Sequence, residues 1–469
     1  MEKKRTSIDY GIILGFLFFS FLFVFFNSRN SPLYLFSPWG DVHIYFSMGK
    51  GIANGLIPYK DIFDHKGPFI FFIYSVAYLI SNTNLTGVYL LEAVALFFNI
   101  LFAYKTARLY TSQKTASIVG LIYALFIFNK SYFGGSAEEF ISVFVTISFY
   151  YFIAYFRNSQ QDKSESRKQM IVHGIMFALV LLSKLSVCIF WVPLLLAIYI
   201  DLLKEKKYRE TINYILYSLF GVVVTLLPFI LYFTLNNSLK DFYWGYIQFN
   251  SIYAEFQPDL SVIRKILSHF YKLTITDYIS FPLTLLGVVL LCFSKKYIQN
   301  IIFRIGILFS FIFSFSIICI TKYIMTYAHI VIYVYAIFGV IFILSYLTKF
   351  IEKYFYVIYA VTFICLLLMG IENKAFFGEE KDCLLRKKEC GYMQKEFADI
   401  IKKEQNPTLL NIGLDLGVYT EANIVPTYKY FFYPNIPYHL CPEIRDYQMQ
   451  LIADKKPMFV VMGDNAAFF

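Results

Sequence analysis

The sequence predicts an all-α polytopic membrane protein with about eleven spanning helices, a short re-entrant or interfacial segment and a small extracytoplasmic α/β C-terminal domain. Apolar residues make up 58% of the 469 residues, aromatic residues 20% and charged residues 16%. Soluble domains are about half apolar and about a quarter charged. Many apolar runs also approach the roughly 20 residues that a helix needs to cross hydrocarbon. Together these observations exclude an ordinary soluble domain.

Basic residues indicate how the chain is oriented. The formal charge of +10 arises from lysines and arginines in short clusters between apolar runs, which is typical of cytoplasmic loops. We therefore expect no nucleic-acid partner. Lys3, Lys4 and Arg5 place the N-terminus in the cytoplasm, and the run 8–26 is long enough to be the first span rather than a cleavable signal.

The apolar runs predict the spans in order. The predicted spans are residues 8–26, 87–104, 116–133, 140–156, 171–186, 187–202, 211–234, 276–294, 302–320, 329–348 and 354–371. An odd number of crossings leaves the C-terminus outside. The run 68–81 has only about fourteen residues, which favours a segment that does not cross. Counting it as a crossing would put the cluster of Lys105, Arg108 and Lys114 outside, so we predict that it enters and leaves on the outer face, unless a tilted or paired arrangement restores the parity.

A change of composition divides the chain into a transmembrane domain, residues 1–371, and an extracytoplasmic domain, residues 372–469. In the second domain the runs 409–413 and 458–462 predict short buried strands, and 447–454 predicts a helix between them. This order of elements predicts a small α/β fold.

Three cysteines lie in the C-terminal domain, namely Cys383, Cys390 and Cys441. Outside the cytoplasm one disulfide with an odd cysteine left over is as compatible with the sequence as three free thiols. No cysteine spacing suggests a zinc site.

Polar segments collect on the predicted outer face. They are 27–67, 129–139, 235–276 and the C-terminal domain, whereas the longest predicted cytoplasmic loop is 157–170. Neither GxGxxG nor GxxxxGK[ST] occurs in the sequence, so the glycines that bind the phosphates of a nucleotide donor are missing. Any chemistry is therefore expected outside.

The first outer segment is rich in groups that can carry chemistry. Its candidates are Asp41, Tyr59, Asp61, Asp64, His65 and Lys66. A solvated loop can hold such charges by chance, but this segment also contains many aromatic residues and leads directly into the apolar run 68–81. That composition favours a segment that folds back onto the membrane, where charges cost a few kcal/mol unless they are paired or functional.

Further candidates lie at other outer corners. Glu138 and Glu139 begin a predicted helix, where a carboxylate also simply favours the helix dipole. Lys184 lies in a short corner between two spans, where positive charge is disfavoured unless it meets an anion. His329 lies in another corner, where interfacial packing is the alternative.

One chemical interpretation unites these residues. An acid in the first segment acts as general base toward a hydroxyl group, and the lysines hold the phosphate of a leaving group and stabilise its developing charge. Because the sequence offers no nucleotide-binding domain, we expect this phosphate to belong to a lipid.

The motifs of the first segment resemble a known superfamily. Asp41, the Gly-x-x-Pro-Tyr-x-Asp stretch at 55–61 and the Asp-His-Lys-Gly-Pro stretch at 64–68 resemble the GT-C superfamily of polyprenyl-phosphate-dependent glycosyltransferases. The branch that the sequence resembles most contains the protein O-mannosyltransferases and the lipid A aminoarabinose transferase. The Gly-Gly-x-x-Glu-Glu turn at 134–139 and the phenylalanine- and lysine-rich composition resemble Gram-positive bacterial members.

The resemblance implies a role for each candidate. Asp41 matches the acidic position taken as the catalytic base. The basic groups expected at the lipid phosphate are Lys66, His65 and Lys184. Glu138 or Glu139 matches a second acidic site near sugar or acceptor, and the other residues expected there are Tyr59, Asp61, Asp64 and His329. The sequence departs from many members in that Val42 replaces a second acid and the lysine motif reads His-Lys-Gly-Pro.

The implied reaction is inverting transfer of a sugar from a β-linked polyprenyl phosphate to an extracytoplasmic acceptor. The acceptor is a cell-wall or surface polysaccharide, a lipid or a protein, and the implied location is the bacterial plasma membrane. No metal or other cofactor is expected, because a lipid monophosphate does not require a divalent cation for charge neutralisation. The segment 235–276 is expected to cover the site when substrate binds.

Two other function classes are alternatives. A transporter or lipid-linked-sugar flippase places ionisable or broken-helix elements near the bilayer midplane, often in matched repeats. Here the charges crowd the predicted outer ends and no internal repeat is apparent. A non-catalytic surface or assembly protein would tolerate replacement of the carboxylates in the first segment.

Overall fold

The computed structural model describes residues 7–128, 134–157, 163–255, 261–320, 326–372, 392–413 and 416–462. It is mostly helical, as the sequence predicts. The first nine helices are α1 (Ser7–Asn27), α2 (Gly40–Ala53), α3 (Pro68–Ile80), α4 (Thr86–Arg108), α5 (Gln113–Phe128), α6 (Ala137–Arg157), α7 (Lys163–Leu181), α8 (Trp191–Lys204) and α9 (Tyr208–Leu235). The next eight are α10 (Leu239–Phe242), α11 (Phe249–Glu255), α12 (Val262–Thr276), α13 (Ser280–Phe293), α14 (Ile301–Cys319), α15 (Ala336–Ser345), α16 (Thr348–Lys353) and α17 (Phe355–Glu372).

Several of these helices are suited to a bilayer. Seven helical stretches are long and apolar enough to cross a membrane, and an eighth is added if the bent pair α12 and α13 is one span. The seven are Tyr10–Asn27, Thr86–Arg108, Ala137–Arg157, Leu185–Lys204, Tyr208–Leu235, Ile301–Cys319 and Tyr327–Ser345. The chain is therefore a multi-pass membrane protein. The predicted total of about eleven spans, and the path of 68–81, which forms the short helix α3, stay predictions.

Two predicted loops are helical instead. The sequence predicts a cytoplasmic loop at 157–170, but α7 already begins at Lys163. It also predicts an outer loop at 235–276, most of whose described residues form α10, a π-helical segment (Tyr243–Gln248), α11 and α12. Polar residues within an amphipathic helix lower its mean hydropathy, so a search for apolar runs does not find it.

The first polar segment is folded and mostly buried, in agreement with its composition. Its residues Val42 to Gly51 in α2 are all buried. A Cβ atom at Gly49 of α2 would lie 2.4 Å from the backbone carbonyl carbon of Tyr74 in α3. Small residues permit this close approach of two helices. α2 is therefore packed directly against the helix that follows the 64–68 motif.

The C-terminal segment contains a small parallel sheet. β1 (Leu409–Ile412) pairs with β2 (Phe459–Met462), with Leu409 opposite Phe459. Its helices are α18 (Met393–Ile401), α19 (Gly417–Glu421) and α20 (Pro442–Ala453). The two strands lie within the predicted runs, and α20 overlaps the predicted helix 447–454 but begins earlier, at Pro442. The crossover between the strands is what a parallel pair requires. The domain boundary between 371 and 372 stays a prediction.

This segment is packed against α2. His43 Nδ1 lies 2.7 Å from Thr420 Oγ1, and Lys50 Nζ donates to the carbonyl oxygen of Tyr419 at 3.2 Å. Both partners belong to α19. The predicted disulfide alternative concerns Cys383 and Cys390, which lie outside the described residues, and Cys441, which is buried and forms no disulfide within the described part of the chain.

Candidate active site

Asp41 lies in the first turn of α2 and is half-buried. Tyr45, one turn later, donates its hydroxyl to Asp41 Oδ2 at 3.4 Å. Burial raises the pKa of Asp41, Lys66 opposes this shift, and the carboxylates of Asp64 and Glu138 add to it. A carboxylate with a raised pKa is a stronger base when it is ionised. Asp41 therefore has the electrostatic environment of a general base.

The turn before the lysine motif is held in a strained conformation. Tyr59 has a φ of 67°, which bulky residues rarely adopt. Its ring is fully buried, and its hydroxyl donates to the carbonyl oxygen of Lys66 at 2.6 Å. Asp61 accepts the amide of Ile57 at 2.8 Å and closes the same turn. Such strain persists only where the surroundings over-determine it, so this turn is built to place Lys66.

Asp64, His65 and Lys66 form a relay of polar contacts. Asp64 Oδ1 lies 3.2 Å from His65 Nδ1, and His65 Nε2 lies 3.2 Å from Lys66 Nζ. Because an ammonium group only donates, His65 Nε2 accepts from Lys66. Burial alone would raise the pKa of Asp64, but His65 and Lys66 outweigh it and lower that pKa.

Lys66 lies among three carboxylates. Burial lowers the pKa of Lys66, but the charges of Asp41, Asp64 and Glu138 outweigh burial and raise it. The ammonium group is therefore charged at neutral pH. A fixed positive charge in a water-poor site is suited to bind a phosphate and to stabilise the charge that develops on a leaving phosphate.

Gly67 fixes the motif against a second corner of the chain. Its amide donates to the carbonyl oxygen of Ser183 at 3.1 Å, and the amide of Phe69 donates to that of Leu182 at 3.0 Å. A Cβ atom at Gly67 would lie 2.1 Å from the Leu182 carbonyl oxygen. The glycine of the His-Lys-Gly-Pro motif is therefore required by backbone contact with the corner that carries Lys184.

Lys184 and Glu138 are paired. Lys184 Nζ contacts Glu138 Oε1 as an ion pair and hydrogen bond. Glu138 is buried in the first turn of α6, and Lys184 is half-buried just after α7. The charge of Glu138 also acts on Asp41 and Lys66. The turn that carries Glu138 therefore lies next to the first outer segment, which carries Asp41 and Lys66.

Glu139 points to a different place. Its Oε2 accepts the amide of Gly135 at 2.9 Å, and its carboxyl group interacts with that of Glu92. Gly134 and Gly135 have φ values of 89° and 78°, and a Cβ at Gly134 would lie 2.4 Å from Glu92 Oε1. The Gly-Gly turn is therefore fitted around Glu92, and Glu139 supports this turn instead of facing Lys66.

The structure thus brings together one set of predicted residues, which we call the charged cluster: Asp41, Asp64, His65, Lys66, Glu138 and Lys184. It places the others around this set. Tyr59 and Asp61 hold the turn before the motif, and Glu139 holds the Gly-Gly turn. His329 is buried with its ring 6.4 Å from that of His269. The roles of all these residues in binding or catalysis stay predictions.

Some residues of the site escape sequence reasoning. Tyr45 contacts Asp41 through an i, i+4 helical spacing, which becomes visible only when 40–53 is assigned as a helix. Tyr327 lies within electrostatic reach of Asp41 and Glu138. No local pattern links Tyr327 to either acid, because the residues are far apart in the sequence.

The helical segment that replaces the predicted 235–276 loop touches the site. Asn250 donates to the carbonyl oxygen of His65 at 2.7 Å. The ring of Tyr253 stacks on that of His65 with centroids 5.1 Å apart. These contacts lie over the lysine motif, where the sequence predicts a cover. Closure of this segment on substrate stays a prediction.

A cavity of about 410 Å³ opens beside Asp41 at the N-terminal end of α2. Its lining includes Trp39 and Asp41 from the first segment and Gln394 from α18. Among the described residues no group of three or more His, Cys, Asp or Glu side chains is arranged to hold a metal ion. The expectation of a reaction without a resident metal stays a prediction.

The chain matches one protein-family model, and its fold is similar to that of solved membrane proteins. A family model described as dolichyl-phosphate-mannose-protein mannosyltransferase matches residues 65–232. The fold is similar to ArnT from Cupriavidus metallidurans bound to undecaprenyl phosphate, with a TM-score of 0.65, 12% identity, and coverage of 98% of this chain and 94% of that chain. It is also similar to the archaeal oligosaccharyltransferase AglB from Archaeoglobus fulgidus in complex with an inhibitory peptide and a dolichol-phosphate, with a TM-score of 0.51, 11% identity, and coverage of 90% and 65%. A sequence comparison with curated proteins finds no match.

Proposed function

We infer that this chain, which has the fold of ArnT and AglB and matches the mannosyltransferase family model, is a GT-C-type glycosyltransferase that acts with a polyprenyl-phosphate carrier. The resemblance to the GT-C superfamily that the sequence motifs indicate is confirmed by these matches. Fold alone does not specify chemistry, so the finer proposal depends on the site.

The proposed reaction is an inverting displacement at the anomeric carbon of the donor sugar. Asp41 takes the proton of an acceptor hydroxyl, and the hydroxyl oxygen forms a bond to the anomeric carbon. The bond between that carbon and the phosphate oxygen breaks, and its electron pair leaves with the polyprenyl phosphate. Lys66 and Lys184 stabilise the charge on this phosphate.

The observation that carries this proposal is the position of Lys66 relative to two acids. Asp41 and Glu138 come from separate segments, and both act electrostatically on the Lys66 ammonium. A base and a phosphate-binding cation are thus close enough to serve one reaction centre. A lysine whose pKa is raised by neighbouring carboxylates stays charged while the donor phosphate enters.

The remaining predicted residues divide between contact and support. We assign Glu138 and Asp64 to the hydroxyl groups of the donor sugar, because both are buried acceptors in the charged cluster. His65 orients Lys66 through its Nε2 atom. Tyr59, Asp61 and Glu139 act as positioning residues through the backbone turns that they hold. His329 keeps its predicted role near the acceptor as part of this proposal.

The location and partners follow the same proposal. The donor is a polyprenyl-phosphate sugar, and the acceptor is an extracytoplasmic polysaccharide, lipid or protein. The charged cluster faces the outside of the bacterial plasma membrane, because the basic clusters between the apolar runs are cytoplasmic by the positive-inside rule. Metal is not required, since Lys66 and Lys184 supply the positive charge at the phosphate.

The test is a turnover assay with the purified full-length chain in lipid nanodiscs. A panel of polyprenyl-phosphate sugars, each labelled in the sugar, is supplied with bacterial cell-wall polysaccharide in the presence and absence of EDTA. We expect labelled polysaccharide and free polyprenyl phosphate to form together, with or without EDTA. Movement of intact donor across a vesicle membrane without cleavage would indicate the flippase alternative and contradict the proposal.

A further inference from the structure

Asp41 borders two different environments. On one side lies the charged cluster, and on the other lies the cavity of about 410 Å³ at the N-terminal end of α2. Among the described residues that line this cavity, Asp41 is the one that also belongs to the charged cluster. In an inverting displacement the acceptor hydroxyl attacks the anomeric carbon from the side opposite the departing phosphate. The base that takes the proton of this hydroxyl must therefore lie between the acceptor and the bound donor.

The lining of the cavity combines aromatic faces with hydrogen-bonding groups. Trp39 is half-buried, with its ring 5.4 Å from that of Tyr327, and Phe36 stacks on His43. Aromatic faces carry the negative part of the ring quadrupole, which attracts the polarised C–H groups of a sugar ring. The amide of Gln394 both donates and accepts hydrogen bonds, as the hydroxyl groups of a sugar require.

The size and composition of the cavity also distinguish between acceptors. Its volume lies within the range of about 300–1,000 Å³ typical of small-molecule sites, so it can enclose the end of a sugar chain. Pro38 and Ile44 supply the aliphatic side chains among the described residues that line the cavity. An acyl chain would need a longer apolar wall, and the charged face of Asp41 would disfavour it.

One wall of the cavity is held firmly in place. Gln394 belongs to α18, which packs beside α19, and a Cβ at Gly417 of α19 would lie 3.1 Å from Gln394 Cγ and 2.7 Å from Phe36 Cζ. α19 is in turn bonded to α2 through His43 and Thr420 at 2.7 Å. The C-terminal segment therefore fixes Gln394 opposite the helix that carries Asp41.

Resting on the proposed function, we propose that this cavity binds the acceptor, that the acceptor is a glycan, and that Trp39 and Gln394 position its terminal sugar for Asp41. Trp39 stacks on the sugar ring, and Gln394 hydrogen-bonds a hydroxyl next to the one that reacts. Asp41 takes the proton from the reacting hydroxyl. The C-terminal segment thereby contributes to the choice of acceptor, a role that sequence patterns do not assign to it.

The experiment compares acceptors and variants of the full-length chain, with the acceptor varied at saturating polyprenyl-phosphate sugar and then the donor varied at saturating acceptor. The acceptor probes are soluble tetrasaccharides of glucose, galactose, N-acetylglucosamine and rhamnose, a peptide rich in serine and threonine, and diacylglycerol in vesicles. We expect transfer to a tetrasaccharide. Trp39→Ala and Gln394→Ala should each raise the KM for that tetrasaccharide about tenfold, the effect of losing one stacking or hydrogen-bonding contact, while the KM for the donor stays near native.

Control variants separate positioning from folding. Gln450→Ala removes an exposed glutamine of α20 whose side chain bonds Asp454, and it should leave both KM values unchanged. Trp39→Phe should restore part of the acceptor affinity because it keeps an aromatic face. The inference about the acceptor would be overturned, with the proposed function intact, if the donor is turned over but no tetrasaccharide is labelled, or if transfer goes only to peptide or only to diacylglycerol. An unchanged KM for the acceptor in both alanine variants would overturn it as well. Absence of donor cleavage by the native chain would overturn the proposed function as well.

Discussion

Lys184 and Glu138 form an ion pair although they are 46 residues apart. The Glu138 side chain is 3% exposed and that of Lys184 is 30% exposed, so the pair joins the buried charges to the surface. Glu138 lies in the first turn of α6, while Lys184 follows α7 at the corner against which Gly67 packs. Through this contact two outer turns and the lysine motif become one site.

The charge of Glu138 should tune the base. Because Glu138 raises the pKa of Asp41 by charge repulsion, Glu138→Gln should lower that pKa. The acidic limb of kcat/KM against pH reports the free enzyme's base, and it should move to lower pH in this variant. The exposed Glu404→Gln is the control and should leave the limb in place. A limb that stays put or moves to higher pH in Glu138→Gln would refute the electrostatic link between the two acids.

Lys66 should matter both for the donor and for the base. Lys66→Met removes a charged donor to phosphate, so we expect the affinity for polyprenyl phosphate to fall roughly 10- to 100-fold. Lys66 also lowers the pKa of Asp41, so the acidic limb should move to higher pH, the opposite direction from Glu138→Gln. Binding is measured by titration of nanodiscs with labelled polyprenyl phosphate. Unchanged donor affinity would remove Lys66 from the phosphate site.

Gly67 should be intolerant of a side chain. A Cβ atom there would lie 2.1 Å from the backbone oxygen of Leu182, so Gly67→Ala must displace backbone in the motif or the corner. We expect a loss of about 1–3 kcal/mol in stability and a large loss of turnover. Gly11→Ala in α1 meets nothing within 4 Å and serves as the matched control. Native melting temperature and turnover in Gly67→Ala would mean that this contact is absent in solution.

Lys50 should make the packing of the C-terminal segment depend on pH. Its ammonium group is fully buried beside Tyr419, and burial lowers its pKa from 10.5 to about 7. Between these two values the unfolded chain binds more protons than the folded chain, so stability rises with pH across this window. Below about pH 7 the folded chain bears the full cost of the buried charge.

Lys50→Met keeps an apolar stem and removes the charge. We expect the variant to gain melting temperature relative to the native chain at pH 6, and this gain should shrink as the pH is raised toward 9. The control is Lys395→Met in α18, because Lys395 is only half-buried whereas Lys50 is fully buried. A difference between Lys50→Met and native that is the same at both pH values would show that Lys50 is not buried as a charge.

Much of the fold follows from the sequence because hydropathy reports burial in lipid. Every predicted span contains a helix in the described residues, and the short strands at 409–412 and 459–462 lie where apolar runs predict them. Hydropathy does not identify helices that mix polar and apolar residues. α2 and α12 carry charged residues within the helix, and their apolar faces are visible only when the neighbouring helices are known.

The site also contains some residues that the sequence identifies and others that only the packing of the helices identifies. The motif residues Asp41 and Lys66 are recognisable because several unusual residues recur at short spacing. The choice between Glu138 and Glu139 is not, since neighbours on a helix point about 100° apart and only the position of Lys184 decides between them. The link from Asp41 to Gln394 depends on how the C-terminal segment packs, which no local pattern reports.

We propose that Asp41 removes the proton of the acceptor in a site where the donor is already bound. The most direct measurement is a single-turnover reaction of native and Asp41→Asn chains preloaded with the same labelled polyprenyl-phosphate sugar, with donor affinity measured in parallel. If Asp41 is the base, the rate should be about 100- to 10,000-fold lower in Asp41→Asn, with nearly native donor affinity. Equal single-turnover rates in the two chains would contradict it.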